Sequence, residues 1–151
     1  MNKNDQFVKF LIKAKKNTYA DNADIDGSSR PGSKDLHFEE GEYQYIDSYL
    51  GDFDFIGEEV VWERGKPIWG MNYRGAMLVE DFPDGFSDCL KGTLKEVPLE
   101  KPFRGPAFFK DGQLEYFSSS EGDIDKFRGQ ERIELDGKII YQLYFHGGKI
   151  R

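Results

Sequence analysis

Apolar and polar residues alternate with the period of two that a β-strand requires in two separate stretches of the chain. The alternation predicts six strands, at residues 43–50, 55–63, 67–74, 114–120, 127–135 and 139–146. Short turns separate the strands of each stretch, and Asp136-Gly137 is the strongest hairpin signal among them. Each stretch therefore predicts three antiparallel strands.

Before each set of strands, apolar residues recur at the spacing of a helix face instead. They are Phe7, Phe10, Leu11 and Ala14 in the first helix, and Phe86, Cys89, Leu90 and Leu94 in the second. Asn4 or Asp5 is available to cap the first helix, and Asp84 the second. Loops rich in Gly, Ser, Asp and Pro, at residues 22–34 and 100–111, then lead to the strands.

The two strand stretches are also copies of one another. Residues 41–75 align with residues 112–147 when Lys126 is an insertion, and thirteen of the thirty-five positions are identical. In the first copy these are Gly41, Tyr45, Ser48, Gly51, Asp52, Asp54, Phe55, Gly57, Glu59, Gly65, Lys66, Ile68 and Gly75. Such a match indicates an internal duplication. We therefore predict a single α+β domain of two α-β-β-β halves, residues 1–78 and 79–151, with the helices packed on one face of antiparallel sheets.

Comparing the copies shows which side of each strand faces inward. Phe127 and Ile133 share a face with Glu131, whereas the opposite face of that strand is polar. Glu59 occupies the matching position in the first copy, so both glutamates are predicted to lie on the apolar side of the sheet. An ionised carboxylate in such a layer is costly unless a partner compensates it.

Three interpretations of this glutamate pair remain open. In the first, each carboxylate is satisfied by a tyrosine hydroxyl, a backbone amide or a basic residue of its own half. In the second, both line a pocket between the halves for a cationic or polyhydroxylated small molecule. The ligand-binding residues would then be Glu59, Glu131, Tyr45, Tyr49, Trp69, Tyr73, Tyr116 and Tyr141. In the third, the pair is the acid and base of a hydrolase.

Composition narrows the classes of partner. The formal net charge of −7 argues against direct nucleic-acid binding, because phosphate contacts need a basic face. The sequence contains no apolar segment long enough for a signal peptide or a membrane span, so we expect a cytoplasmic protein without membrane contact. Cys89 and the two histidines show no metal-binding spacing, and residues 22–33 lack the final glutamate of a calcium loop. No metal, cofactor or catalytic residue is assigned.

The outer face of the strand at 55–63 is unusually apolar. Ile56, Val60 and Trp62 stand where the second copy has Arg128, Arg132 and Glu134. This asymmetry predicts either a homodimer contact through the Trp62 face or cover by the loop at 22–34.

Three segments carry a family resemblance: SSRPGSKDLHFEEGEYQYIDSYLG at 28–51, GEEVVWERGKPIWGMNYRG at 57–75 and YFHGG at 144–148. They resemble an uncharacterised bacterial domain family that occurs alone or behind a helix-turn-helix of the Xre regulator type. The resemblance implies a ligand- or partner-sensing role. This chain departs from the regulator form because its first helix stands alone, without a DNA-reading module.

The duplicated α/β architecture is also similar to gyrase-inhibitor-like drug-sensing domains, in which a glutamate among aromatic residues receives cationic compounds. Those halves begin with a strand before the helix, whereas here the helix precedes the strands. We therefore expect a non-enzymatic small-molecule-binding or sensing domain. A hydrolase and a protein-interaction module, such as a subunit of a regulator, are the alternatives.

Overall fold

The computed structural model describes residues 2–18 and 27–151. In chain order its elements are α1 (Lys3–Asn17), β1 (Lys34–Glu40), β2 (Tyr43–Gly51), β3 (Asp54–Glu63), β4 (Lys66–Met77), α2 (Phe86–Lys95), β5 (Phe108–Asp111), β6 (Leu114–Asp123), β7 (Lys126–Leu135) and β8 (Lys138–Lys149). Each half of the chain thus contributes one helix followed by four strands.

All eight strands form one antiparallel sheet in the order β1-β2-β3-β4-β8-β7-β6-β5. The last strands of the two halves, β4 and β8, pair at its centre, where Tyr73 lies opposite Phe145. The predicted α+β class and antiparallel pairing are confirmed. The halves share a continuous backbone hydrogen-bond network rather than only a side-chain contact.

The two edge strands were not predicted. β1 begins at the last residue of the predicted loop at 22–34, and β5 occupies the end of the predicted loop at 100–111. β1 carries four charged residues among seven, and β5 has only four residues, so neither shows the apolar alternation of a half-buried strand. Short or charged edge strands resist pairing with other chains. Three strands per half was therefore wrong, and the correct number is four.

The turns and bulges match between the halves. Arg64-Gly65 and Asp136-Gly137 both have positive φ at each residue, 51° and 80° in the first turn and 52° and 80° in the second. This is the type I′ conformation expected of two-residue hairpins. Register shifts follow Val61 in β3 and Ile133 in β7, which are equivalent positions of the aligned sequences.

Both helices begin one or more residues away from the predicted caps. The side chain of Asn2 accepts the backbone N–H of Asp5 at 2.8 Å and caps α1, instead of Asn4 or Asp5 themselves. Gly85, with φ of 80°, precedes α2, and no side chain caps that helix. Asp84 is therefore not the cap of α2.

The helices cover the same face of the sheet. The ring of Phe7 in α1 lies 6.0 Å from that of Trp69, and the ring of Phe86 in α2 lies 5.3 Å from that of Tyr141. The predicted inward side is confirmed, since Glu59, Phe127, Glu131 and Ile133 are all buried. The same face also buries Tyr45, Trp69, Tyr116, Tyr141 and Leu143. The site must be sought between this face and the helices.

Two glycines make room for aromatic rings on that face. A Cβ at Gly57 would lie 2.3 Å from the hydroxyl of Tyr73, and a Cβ at Gly129 would lie 2.3 Å from the ring of Phe145. Each ring crosses over the neighbouring strand at these positions, which explains why glycine stands at both equivalent positions.

The outer face has no helix over it in the described part of the chain. Residues 27–33 cover only part of β2, where the guanidinium of Arg30 donates to Ser48 Oγ at 2.8 Å. Ser48 Oγ donates in turn to Asp35 at 2.6 Å. Burial opposes the charge on Asp35, but hydrogen bonds from Ser48 and Ser29 hold its pKa below the ordinary value. Ile56 remains 56% exposed.

Candidate functional site

Glu59 lies in the middle of β3 on the inner face, and its side chain is fully buried. Its Oε1 accepts hydrogen bonds from Lys15 Nζ, at 2.7 Å, and from the hydroxyl of Tyr45. Lys15 belongs to α1, and its Nζ also donates to the carbonyl of Phe103 at 2.8 Å and lies 5.7 Å from the centre of the Trp69 ring. Burial lowers the pKa of Lys15, although Glu59 opposes that shift. Glu59 Oε2 has no hydrogen-bond partner among the described residues.

Glu131, at the equivalent position of β7, is also buried and is engaged on both oxygens. Arg104 donates from Nε to Oε1 and from Nη2 to Oε2, each at 2.9 Å. The hydroxyls of Tyr116 and Tyr141 donate to Oε1 and Oε2, each at 2.7 Å. Burial would raise the pKa of Glu131, but the paired guanidinium and the hydroxyl donors hold it below the ordinary value.

Each glutamate is therefore matched by a cation of its own half. The predicted inward orientation is confirmed, and the contacts are those of the first interpretation, a tyrosine hydroxyl together with a basic residue. The cations come from different places, because Lys15 is on a helix whereas Arg104 is in the segment between α2 and β5.

Asp47 is a third buried carboxylate on the same face. It lies on β2 directly opposite Glu59, and its side chain is 3% exposed. The hydroxyl of Tyr73 donates to its Oδ1 at 2.6 Å. Burial, and then the nearby charge of Glu59, raise the pKa of Asp47 from 3.8 to about 7. No salt bridge among the described residues includes Asp47.

Charge on the inner face is consequently unbalanced. The buried charged side chains there are Asp47, Glu59, Glu131, Lys15 and Arg104. Within residues 2–18 and 27–151, three buried carboxylates on this face meet two cations, and both cations are bonded to the glutamates. A net negative charge in a layer of low polarity is unfavourable unless a proton or an external cation balances it. Asp47 is the carboxylate of the three that has no cation bonded to it among the described residues.

A cavity of about 750 Å³ opens beside Asp47, between the sheet of the first half and helix α2. Asp47, Tyr73 and Arg104 are among the buried residues that line it. Its aromatic lining is Tyr49, Phe55, Tyr73, Phe82 and Phe86, and its exposed charged residues include Asp52, Asp84 and Asp88. Its volume is within the range of small-molecule sites, and it lies between the two halves.

The cavity includes only two of the eight residues predicted to bind ligand. Tyr49 and Tyr73 line it. The others form the packed layer beside it, each at most 2% exposed: Glu59, Glu131, Tyr45, Trp69, Tyr116 and Tyr141. Asp47 was not assigned to the site. Its counterpart in the second copy is Ser118, so the comparison of copies that singled out the glutamates passed over it.

The described residues contain no group of three or more His, Cys, Asp or Glu side chains arranged to hold a metal ion. Residues 22–26, which open the segment weighed as a calcium loop, lie outside the described ranges. Among the helices in those ranges, neither is long and apolar enough to cross a membrane.

No curated protein and no solved structure matches the sequence significantly. One family model does match, from within β2 to just beyond β8, at residues 47–150. The matched range contains Asp47, Glu59, Arg104 and Glu131, but it begins after α1 and β1. The chain therefore belongs to this family, which is described as a domain of unknown function, DUF5680.

Proposed function

We propose that the domain is a non-enzymatic binding or sensing module whose cavity takes a small organic cation. The observation that carries this proposal is Asp47, a buried carboxylate beside a cavity of about 750 Å³, to which no cation is bonded within residues 2–18 and 27–151. A ligand cation at Asp47 would equalise the buried charges, three carboxylates against three cations. An uncharged polyhydroxylated ligand would leave the imbalance in place, so a cation is the better match.

The aromatic lining of the cavity also favours a positively charged ligand. Lys34 Nζ lies 5.5 Å from the centre of the Tyr49 ring, and the guanidinium carbon of Arg104 lies 5.5 Å from that of Tyr73. The chain itself thus places cations against two rings of this lining. Further ring faces of the lining provide cation–π contacts for an organic cation.

The proposal also covers the origin of the two halves and the cellular setting in which the domain acts. We infer that the halves arose by duplication, and the matched turns, bulges and strand order support this. A sensing role in a bacterial cytoplasm is the setting in which such a module would act, as the sequence resemblance to the Xre-linked family and the looser architectural similarity to gyrase-inhibitor-like domains imply.

The test is thermal unfolding with charged probes and their uncharged analogues. The panel is choline, tetraethylammonium and spermidine, with 3,3-dimethyl-1-butanol as the uncharged analogue of choline. A probe that binds the folded state at a hundredfold excess over its Kd should raise Tm by roughly 5–10 °C. Asp47→Asn should abolish the rise, because it removes the carboxylate but keeps the side-chain shape.

Glu58→Gln is the matched control, since it removes one carboxylate from the exposed, opposite face of β3. It should leave the rise unchanged. The proposal fails if no charged probe shifts Tm, or if 3,3-dimethyl-1-butanol shifts it as much as choline does.

Neither alternative has comparable support. Neither Glu59 nor Glu131 is among the described residues that line the cavity. Glu131 already accepts four hydrogen bonds, so no observation favours an acid–base pair. The hydrolase interpretation stays an untested prediction.

The homodimer contact through the Trp62 face also stays a prediction. The apolar strip of Ile56, Val60 and Trp62 occupies only the first half of the outer face, and a two-fold axis would place it against itself. Sedimentation of the wild type should then show a dimer, and Trp62→Ala should yield a monomer with the same urea midpoint. A monomeric wild type contradicts the prediction.

A further inference from the structure

In the second half of the chain, Phe103 fills an aromatic site on the inner face. Its ring stacks on that of Phe127, with centroids 3.9 Å apart and planes 11° apart. The ring of Phe145 lies 6.0 Å from it at 44°. Phe103 is buried, and it belongs to the segment between α2 and β5. The chain therefore supplies its own occupant to the site formed by Phe127 and Phe145.

The first half contains the same pair of rings at equivalent positions. Phe55 aligns with Phe127, and Tyr73 aligns with Phe145. The centroids of Phe55 and Tyr73 are 6.1 Å apart at 62°, and those of Phe127 and Phe145 are 6.2 Å apart at 50°. The two pairs are thus built alike.

Their surroundings correspond as well. Phe55 lies over Gly75 and Phe127 over Gly147, where an added Cβ would approach the rings to 2.4 Å and 2.8 Å. Across the β4–β8 seam, Phe55 stacks with Tyr141 at 14° and Phe127 stacks with Trp69 at 20°. Tyr141 and Trp69 are themselves equivalent residues of the two copies.

In the part of the chain that the structure describes, the two sites differ at the position that Phe103 occupies. Among the described residues, the ring contacts of Phe55 are with Tyr73 and Tyr141, and no third ring stacks on it. Phe55 and Tyr73 instead line the large cavity. The space beside Phe103 and Phe145 in the second half is only about 60 Å³. The large cavity therefore extends to the side of Phe55 where a ring is held in the other half.

We infer that the ligand of this cavity carries a planar aromatic ring, which stacks on Phe55 as Phe103 stacks on Phe127. The cationic part of this inference rests on the proposed function, whereas the ring is inferred independently from the comparison of the halves. Tyr73 touches both subsites, because its ring contacts Phe55 and its hydroxyl bonds to Asp47. Ring and cation are then neighbours in the ligand, as in a benzylammonium compound.

Three probes separate the two parts. Benzyltrimethylammonium has the ring and the charge, (cyclohexylmethyl)trimethylammonium has the charge with a saturated ring, and benzyl alcohol has the ring alone. Calorimetric titration of the wild type should show benzyltrimethylammonium binding roughly 2- to 12-fold more tightly than its cyclohexyl analogue, the factor expected for aromatic stacking beyond simple burial.

Variants place that preference at Phe55. Phe55→Leu should keep binding of the cyclohexyl analogue but bring the ratio of the two Kd values close to one. Tyr73→Phe retains both rings, so the ratio should be preserved although the hydrogen bond to Asp47 is lost. Phe117→Leu is the matched control, because Phe117 lies on β6 against Phe108, away from the cavity. The ratio of the two Kd values for this variant should equal that of the wild type.

The outcomes separate the two claims. Equal Kd values for both cations in the wild type overturn the ring inference and leave the cation proposal standing. If neither cation binds but benzyl alcohol binds and Phe55→Leu abolishes this, the ring inference stands and the cation proposal fails. If no probe binds, both are overturned. A preference that survives Phe55→Leu also contradicts the inferred position of the ring.

Discussion

Arg104→Met should lower the free energy of unfolding at neutral pH by about 3–5 kcal/mol, the usual loss when one partner of a buried ion pair is removed. The guanidinium holds both oxygens of a glutamate that is fully buried. Methionine fills similar space but leaves Glu131 with only the hydroxyls of Tyr116 and Tyr141. Urea unfolding, with Tm as a second measure, would test this.

The loss should depend on pH in a definite direction. The folded-state pKa of Glu131 is depressed, so its ion pair stabilises the protein above the unfolded-state pKa and stops doing so as pH falls through the folded-state value. The difference between wild type and Arg104→Met should therefore shrink in acid. A difference that is constant down to acid pH would mean that lost packing, rather than the ion pair, causes the effect.

A double variant isolates the pair itself. Arg104→Met combined with Glu131→Gln should recover most of the lost stability, because the amide oxygen can accept one tyrosine hydroxyl and the NH2 group can donate to the other, without a buried charge. Arg128→Met is the control, since its ion pair with Glu121 is exposed and should matter little. If the double variant is no more stable than Arg104→Met alone, the buried charge is not the source of the loss.

Asp47→Asn should have the opposite effect and stabilise the empty protein above neutral pH. The folded-state pKa of Asp47 is raised to about 7 from 3.8, so its stabilising effect is fully present below the lower value and is lost as pH rises through the higher one. That interval corresponds to at most about 4 kcal/mol. Asparagine avoids the buried charge and still accepts the Tyr73 hydroxyl through its carbonyl oxygen.

The measurement is urea unfolding of wild type and variant between acid and mildly alkaline pH. The gain from Asp47→Asn should be small in acid, grow up to about pH 7 and then level off. Glu58→Gln, on the exposed face, should show no such rise. Parallel stability curves for wild type and Asp47→Asn would mean that folding leaves the pKa of Asp47 unchanged, because a partner compensates the cost of burying its charge.

Sequence reasoning located the inner face correctly because the same alternation occurs twice. Glu131 is unambiguous among Phe127 and Ile133, and its position then fixes that of Glu59 in a less regular strand. β1 and β5 were missed because one edge strand is charged and the other is short. These properties prevent an edge strand from pairing with another chain, and they also remove the alternation of apolar and polar residues by which a strand is predicted.

The partners of the glutamates were beyond the reach of the sequence. Lys15 and Arg104 are separated from them by 44 and 27 residues, and both lie outside the duplicated stretches. A basic residue on the first helix looks like ordinary surface charge until the packing angle of α1 is known. Asp47 was not singled out for a related reason: the aligned stretch has no carboxylate at the equivalent position, so comparing the two stretches gave Asp47 no support.

The start of the family match at residue 47 has a consequence for cooperativity. A polypeptide cut to residues 47–150 would lose α1, β1 and half of β2. Lys15 would go with them, leaving Glu59 in the interior with no positive partner, while Tyr45 and the helix that shields this face would also be missing. The recognisable segment is thus smaller than the unit that unfolds together. Any chain built on it needs a helix and a positive charge from upstream, or a neutral residue in place of Glu59.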